Sequence, residues 1–161
     1  MDDLVLQLTA DFPKLKFQPG NDFYWSSKTN EIFYKVKASN KQAAWSLLHE
    51  TGHALLEHKT YQADIALIKM EVEAWAEAKK LGLKYNIKIG EDHIDKCLDT
   101  YRDWLYKRSI CPNCNSKSIQ QNDFIHYRCF NCHTVWKVST SRFCRSYRST
   151  KSIKQNQSLA I

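Results

Sequence analysis

Apolar and polar positions follow two rhythms over the first hundred residues. Leu4, Val5, Leu6, Leu8 and Phe12 predict a short opening helix, limited by Pro13. Residues 15–17 read as extended, and Pro19-Gly20-Asn21-Asp22 as a turn. The aromatic and β-branched runs 23–25 and 32–36 flank a polar stretch, which predicts a hairpin. A helix is expected after an N-cap at Ser39 or Asn40, with Trp45, Leu48, Gly52 and Leu55 on one face. A second is expected from about Asp64 to Leu81, with Gly82 ending it, and then a short extended segment over 83–89. A third starts near Glu91 and carries the apolar stripe Ile94, Leu98, Tyr101 and Leu105, a core face.

The rhythm stops at Ser109. Residues 111–138 hold two Cys-x-x-Cys pairs among short β-like runs, and the chain beyond Ser139 is polar and basic. The expected organisation is an α+β domain over 1–108, a zinc ribbon over 109–139 and a basic, disordered tail over 140–161. Across 161 residues, 43% are hydrophobic and 12% aromatic, enough to bury a core and to exclude wholesale disorder. No apolar run approaches the ~18 residues of a membrane span. The acidic start Met1-Asp2-Asp3 argues against a signal peptide, so a cytoplasmic, reducing setting is expected. Cysteines there serve as metal ligands or free thiols; Cys97 is expected to be a buried thiol, and Cys144 receives no role.

Charge sharpens the division. Residues 1–108 balance 16 Lys/Arg against 16 Asp/Glu, so the whole net charge of +7 falls in 109–161. There, basic residues interleave with Tyr127, Trp136, Phe143 and Tyr147, a pattern suited to phosphates and stacked bases. Nucleic-acid contact through 109–161 is one expectation, and protein docking or simple stabilisation the other.

Two constellations carry chemistry. His49-Glu50-Thr51-Gly52-His53 is an H-E-x-x-H motif. Positions i and i+4 share a helix face, so both imidazoles can reach one ion while Glu50 stands beside it as a general base. A third ligand is needed, and no cysteine precedes Cys97. In the next helix, Glu71 and Glu73 point about 200° apart, so one of them faces the metal. Glu73 is expected to be that ligand, because it shares a face with Met70, Ala76 and Glu77 and follows His53 after nineteen residues. Glu77, one turn on, is expected to support a ligand histidine. The second constellation is Cys111, Cys114, Cys129 and Cys132, two pairs separated by fourteen residues, a closed Cys₄ zinc pattern. His126 and His133 lie beside it and are expected to be surface residues or supports of its ligands.

His49-Glu50-x-x-His53, followed after nineteen residues by Glu73-Ala74-x-x-Glu77, resembles the gluzincin pattern of thermolysin-like peptidases. Among short chains it looks most like the ImmA/IrrE-like metallopeptidases, whose second motif is matched by Glu73, Ala74 and Ala78. Trp75 stands where that group has Asn, Glu77 where gluzincins have Asp, and the resemblance spans about residues 30–82. It implies a small zincin-like core of a short sheet and three or four helices binding one catalytic zinc, while the Cys₄ spacing separately predicts one structural zinc in the ribbon. It also implies cleavage of a protein or peptide by a zinc-activated water, with the peptide added to the edge of the hairpin sheet. His58, Tyr61, His93 and Tyr101 are the candidate donors to the transition state. Two alternatives stay open. One is a SprT-like, DNA-associated protease with His58 as third ligand, and the other a non-catalytic zinc-binding interaction module.

Overall fold

The computed structural model describes residues 1–138 and, for the backbone alone, 148–150. The chain divides into two compact units, Met1–Tyr101 and Arg102–Ile161. In the first unit, α1 (Asp2–Asp11) buries Leu4 and Leu8. Strands β1 (Lys16–Pro19), β2 (Tyr24–Ser26) and β3 (Glu31–Tyr34) form a sheet in the order β1-β3-β2. The expected hairpin pairs β2 with β3, and β1 joins β3 in parallel. Asn30, with φ 58°, turns the hairpin, and its N–H donates to Ser26 O at 2.9 Å. Asn tolerates this left-handed conformation better than most residues.

Helix α2 (Lys41–Leu55) starts where the pattern placed it. Asn40 Oδ1 accepts the Ala43 N–H at 2.8 Å, filling one of the orphan donors of the first turn. Helix α3 (Asp64–Lys84) runs past its expected end: Gly82 lies within it, and the chain turns at Asn86, φ 56°. Gly82 therefore answers a different need. A Cβ there would lie 2.5 Å from Ile87 O, so the residue lets the returning chain pass close to the helix. The segment 83–89 is accordingly a helix end and a loop rather than a strand.

Helix α4 (Glu91–Ser109) buries Ile94, Leu98 and Trp104, whereas Tyr101 and Leu105 are half-buried. The core of the first unit gathers Leu8, Ile32, Leu47, Leu48, Trp75 and Ala78 with Ile94 and Leu98. Among the described residues, no helix is long and apolar enough to cross a membrane.

The second unit contains an antiparallel sheet in the order β4-β5-β6-β7: β4 (Ile119–Gln120), β5 (His126–Arg128), β6 (Val135–Val138) and β7 (Arg148–Thr150). Tyr127, Trp136 and Val138 form its core with Cys111 and Cys129. Within the stretch expected to be disordered, 148–150 forms β7; the remainder of 140–161 lies outside the described residues.

One contact in the first unit sets the geometry of its polar centre. A Cβ on Gly52 of α2 would lie 2.6 Å from the Ala74 carbonyl oxygen of α3, a backbone atom that cannot swing aside. In an unconstrained helix, Gly→Ala stabilises by about 1 kcal/mol. Here the sign inverts: Gly52→Ala is expected to destabilise by about 1–3 kcal/mol, the range for overpacking. Denaturant unfolding of the variant measures this, and an unchanged or raised midpoint would contradict the contact.

Candidate metal centres

Helices α2 and α3 bring three buried side chains to one point. His49 and His53 lie four residues apart on α2, and Glu71 faces them from α3. His49 Nε2 and His53 Nε2 are 3.1 Å apart, and Glu71 oxygens lie 3.2 Å from the first and 3.6 Å from the second. Zinc with nitrogen and oxygen ligands at ~2.0–2.1 Å holds tetrahedral donors about 3.3 Å apart. The separations therefore fit one ion bound by three protein groups. The residues are only 6–8% exposed. Burial raises the Glu71 carboxyl, but its hydrogen bonds to His49 and His53, and their charge, outweigh this and hold it below its ordinary value.

The expected third ligand, Glu73, is not in this cluster. Its side chain is 44% exposed, and its Oε2 lies 3.5 Å from His58 Nε2. The reason is helix phase. The buried residues of α3 include Asp64, Leu67, Glu71, Ala74, Trp75, Ala78 and Leu81, and Glu71 is the carboxylate between Leu67 and Ala74. Glu73, displaced by about 200°, faces away from them. Glu77 also departs from expectation and pairs with Lys80 at 2.7 Å. A carboxylate in phase with the apolar positions Leu67, Ala74, Ala78 and Leu81 is the sequence signal for Glu71.

His58 is not placed as a third ligand either. Its Nδ1 lies 2.8 Å from His53 Nδ1, on the ring edge opposite the converging Nε2 atoms. Burial, followed by the neighbouring His53, lowers its pKa. His49 is held differently: its ring packs on Trp75 at 4.2 Å, and its buried Nδ1 has no hydrogen-bond partner among the described residues. His93 packs against Trp75 and Trp45, with Cys97 Sγ 3.6 Å from its Nε2. Cys97 is half-buried, and burial raises its thiol pKa.

Glu50 is tied to the sheet. Its Oε2 accepts the Trp25 backbone N–H of β2 at 2.8 Å. The Trp25 indole N–H donates to the His58 carbonyl at 2.8 Å, so one residue contacts both the H-E-x-x-H segment and the loop after it. β2 is an edge strand, yet its Trp25 N–H is already engaged and is not open to an added peptide strand. Beside Trp25 lies a groove of about 530 Å³, bordered by Leu15, Ser27, Leu55, Glu57 and Lys59.

The four cysteines of the second unit converge as the spacing predicted. Cys111 Sγ lies 3.5 Å from Cys132 Sγ, and Cys114 Sγ 3.4 Å from Cys129 Sγ. Tetrahedral zinc with sulfur at ~2.3 Å separates its donors by about 3.8 Å, close to these values. The two Cys-x-x-Cys turns are built alike. The Cys111 N–H donates to Ser116 O and the Cys129 N–H to Thr134 O, both at 2.9 Å. Asn115 and His133 adopt φ 59° and 58° at matching positions. Hydroxyls of Ser116 and Thr134 lie 3.4 and 3.1 Å from Cys114 and Cys132 Sγ. The Ser116 contact brings the Cys114 thiol down to about 5, and Thr134 lowers Cys132, favouring the thiolates a metal takes. His133 is thus a turn residue, and His126 pairs with Asp123 at 2.7 Å.

Tyr127 and Trp136, counted with the base-stacking aromatics, are 1% and 0% exposed and stack on each other at 5.7 Å. They form the ribbon core and offer no face to a nucleic acid. Arg128 and Lys137 are exposed, whereas Arg142, Phe143, Cys144, Arg145 and Tyr147 lie outside the described residues. Comparison with protein-family models, with curated proteins and with solved structures finds no match.

The two centres predict separable losses. Glu71→Ala is expected to abolish metal uptake by the helical centre, and Cys114→Ala to remove the ribbon equivalent, each leaving the other intact. Elemental analysis of the purified variants after dialysis against excess zinc provides the count. A Glu71→Ala chain that keeps both equivalents would contradict the three-ligand cluster.

Proposed function

We propose that the chain is a zinc-dependent endopeptidase, with zinc held by His49, His53 and Glu71 and with Glu50 as general base. The observation that carries this reading is the convergence of those three donors at tetrahedral separations, with a carboxylate following the first histidine. Zinc in such a site lowers the pKa of a bound water to about 7 and polarises a carbonyl. Glu50 would take the proton of the attacking water and deliver it to the leaving amine. The Trp25 N–H leaves Glu50 its second oxygen for that transfer and limits the side chain's rotation. The groove next to Trp25 offers room for substrate side chains. The Cys₄ centre would hold a second, structural zinc that lets a small segment fold.

A non-catalytic role for the helical metal is favoured by one feature. All three ligand side chains are nearly sealed from solvent, as suits an ion that clips α2 to α3. Glu50 separates the readings, because a clip needs the histidines and Glu71 but no base. Under the peptidase reading, Glu50→Gln retains two zinc equivalents and loses proteolysis of casein or a denatured proteome by about 10²–10⁴-fold. Parallel zinc analysis and cleavage of wild type and variant provide the test. Wild-type protein that binds two zinc ions and cleaves nothing would leave the clip standing and the peptidase refuted.

A further inference from the structure

His53 has two ring nitrogens, and both are engaged. Nε2 faces Glu71 and His49, while Nδ1 lies 2.8 Å from His58 Nδ1. A neutral imidazole carries one N–H and one lone pair, and a metal takes the lone pair. If Nε2 ligates, the proton must sit on Nδ1 of His53, which then donates to Nδ1 of His58. His58 must in turn carry its proton on Nε2, the atom that faces Glu73 Oε2 at 3.5 Å. The tautomers of both rings follow from this single condition. The loop that presents His58 is pinned from the sheet, because the Trp25 indole donates to the His58 carbonyl at 2.8 Å. Backbone geometry adds a further tie: the His58 N–H donates to His53 O at 3.0 Å.

We propose that His58, Glu73 and Trp25 form a clasp that orients His53 for metal binding, with His58 as the residue that contacts the ligand. It rests on the metal reading of His49, His53 and Glu71, but not on the peptidase reading. Glu73 thereby has a role at the centre from outside it, as the acceptor that sets the direction of the chain. Among the described residues, His49 has no such support at its Nδ1 and packs against Trp75. The two histidines of one motif are thus held by different physics, and only His53 should respond to changes in the clasp.

Chelator competition on the cobalt-loaded full chain tests this directly. Thiolate-to-cobalt charge transfer reports the Cys₄ centre alone, while ligand-field absorption without it reports the His₂Glu centre. Removing a supporting contact of a ligand histidine costs about 10–100-fold in metal affinity. His58→Phe is expected to weaken the His₂Glu centre by about that factor and to leave the Cys₄ centre unchanged. His58→Gln, whose side-chain oxygen can accept the His53 proton, should recover part of the loss. Trp25→Phe, which keeps the backbone N–H to Glu50, and Glu73→Gln should each give a smaller loss in the same direction. Glu73 is 44% exposed, so its variant folds even where His58→Phe does not. Unchanged affinity in both His58→Phe and Glu73→Gln, with two equivalents bound, would overturn the clasp alone. A wild-type chain that binds only the Cys₄ equivalent would overturn the metal reading and the clasp together. Neither result depends on whether peptide is cleaved.

Discussion

The close approach of α2 and α3 at Gly52 and Ala74 is the constraint on which the polar centre of the first unit depends. Helices that meet through ordinary side chains stand about 8–10 Å apart. Here a glycine faces a backbone carbonyl, and the helices meet without a side chain between them at that step. His49 and His53 flank Gly52 on the same helix, so the contact carries both imidazoles to α3. On α3, Glu71 lies one turn before Ala74 and meets them. Three polar groups buried this deeply are costly unless paired or bound to a metal. Their mutual separations pair them and are compatible with one bound ion.

The two candidate centres are built differently. The Cys₄ centre joins two locally built halves: each half is a Cys-x-x-Cys turn closed by its own backbone hydrogen bond and a left-handed residue. Its second half repeats the first, down to the hydroxyl beside the second cysteine. The His₂Glu centre is non-local and depends on the register between two helices. It also draws on the sheet, since Trp25 reaches both Glu50 and the loop carrying His58. A small error in helix register would leave the ribbon turns intact and separate Glu71 from its histidines.

Trp25 connects the hairpin to the chemistry of the motif. Its backbone N–H holds the Glu50 carboxylate next to His49, and its indole holds the carbonyl of His58, whose ring meets His53. An aromatic residue in a short edge strand is ordinarily explained by packing. Nothing in the local pattern of residues 23–25 distinguishes Trp25 from its neighbours, because both partners lie more than twenty positions away. The same edge position explains why β2 is a poor template for an added peptide strand at Trp25.

Much of this protein is legible in its residues alone. The hairpin, the Asn40 cap, the pairing of His49 with His53 and each Cys-x-x-Cys turn depend on contacts within a few residues, where spacing determines geometry. The role of Gly82 is not legible in the sequence, because a glycine near a helix end serves equally as a cap or as a point of close approach, and only the position of Ile87 distinguishes them. The choice between Glu71 and Glu73 was decided by tertiary structure. Two residues apart on a helix means about 200° of rotation, and which face turns inward depends on the stripe that packs. Leu67, Ala74, Trp75 and Ala78 bury the face containing Glu71, which leaves Glu73 to His58. The sequence by itself determined which metal-binding residue types are present; the packing of α3 on α2 decided which carboxylate meets the two histidines and which one meets His58.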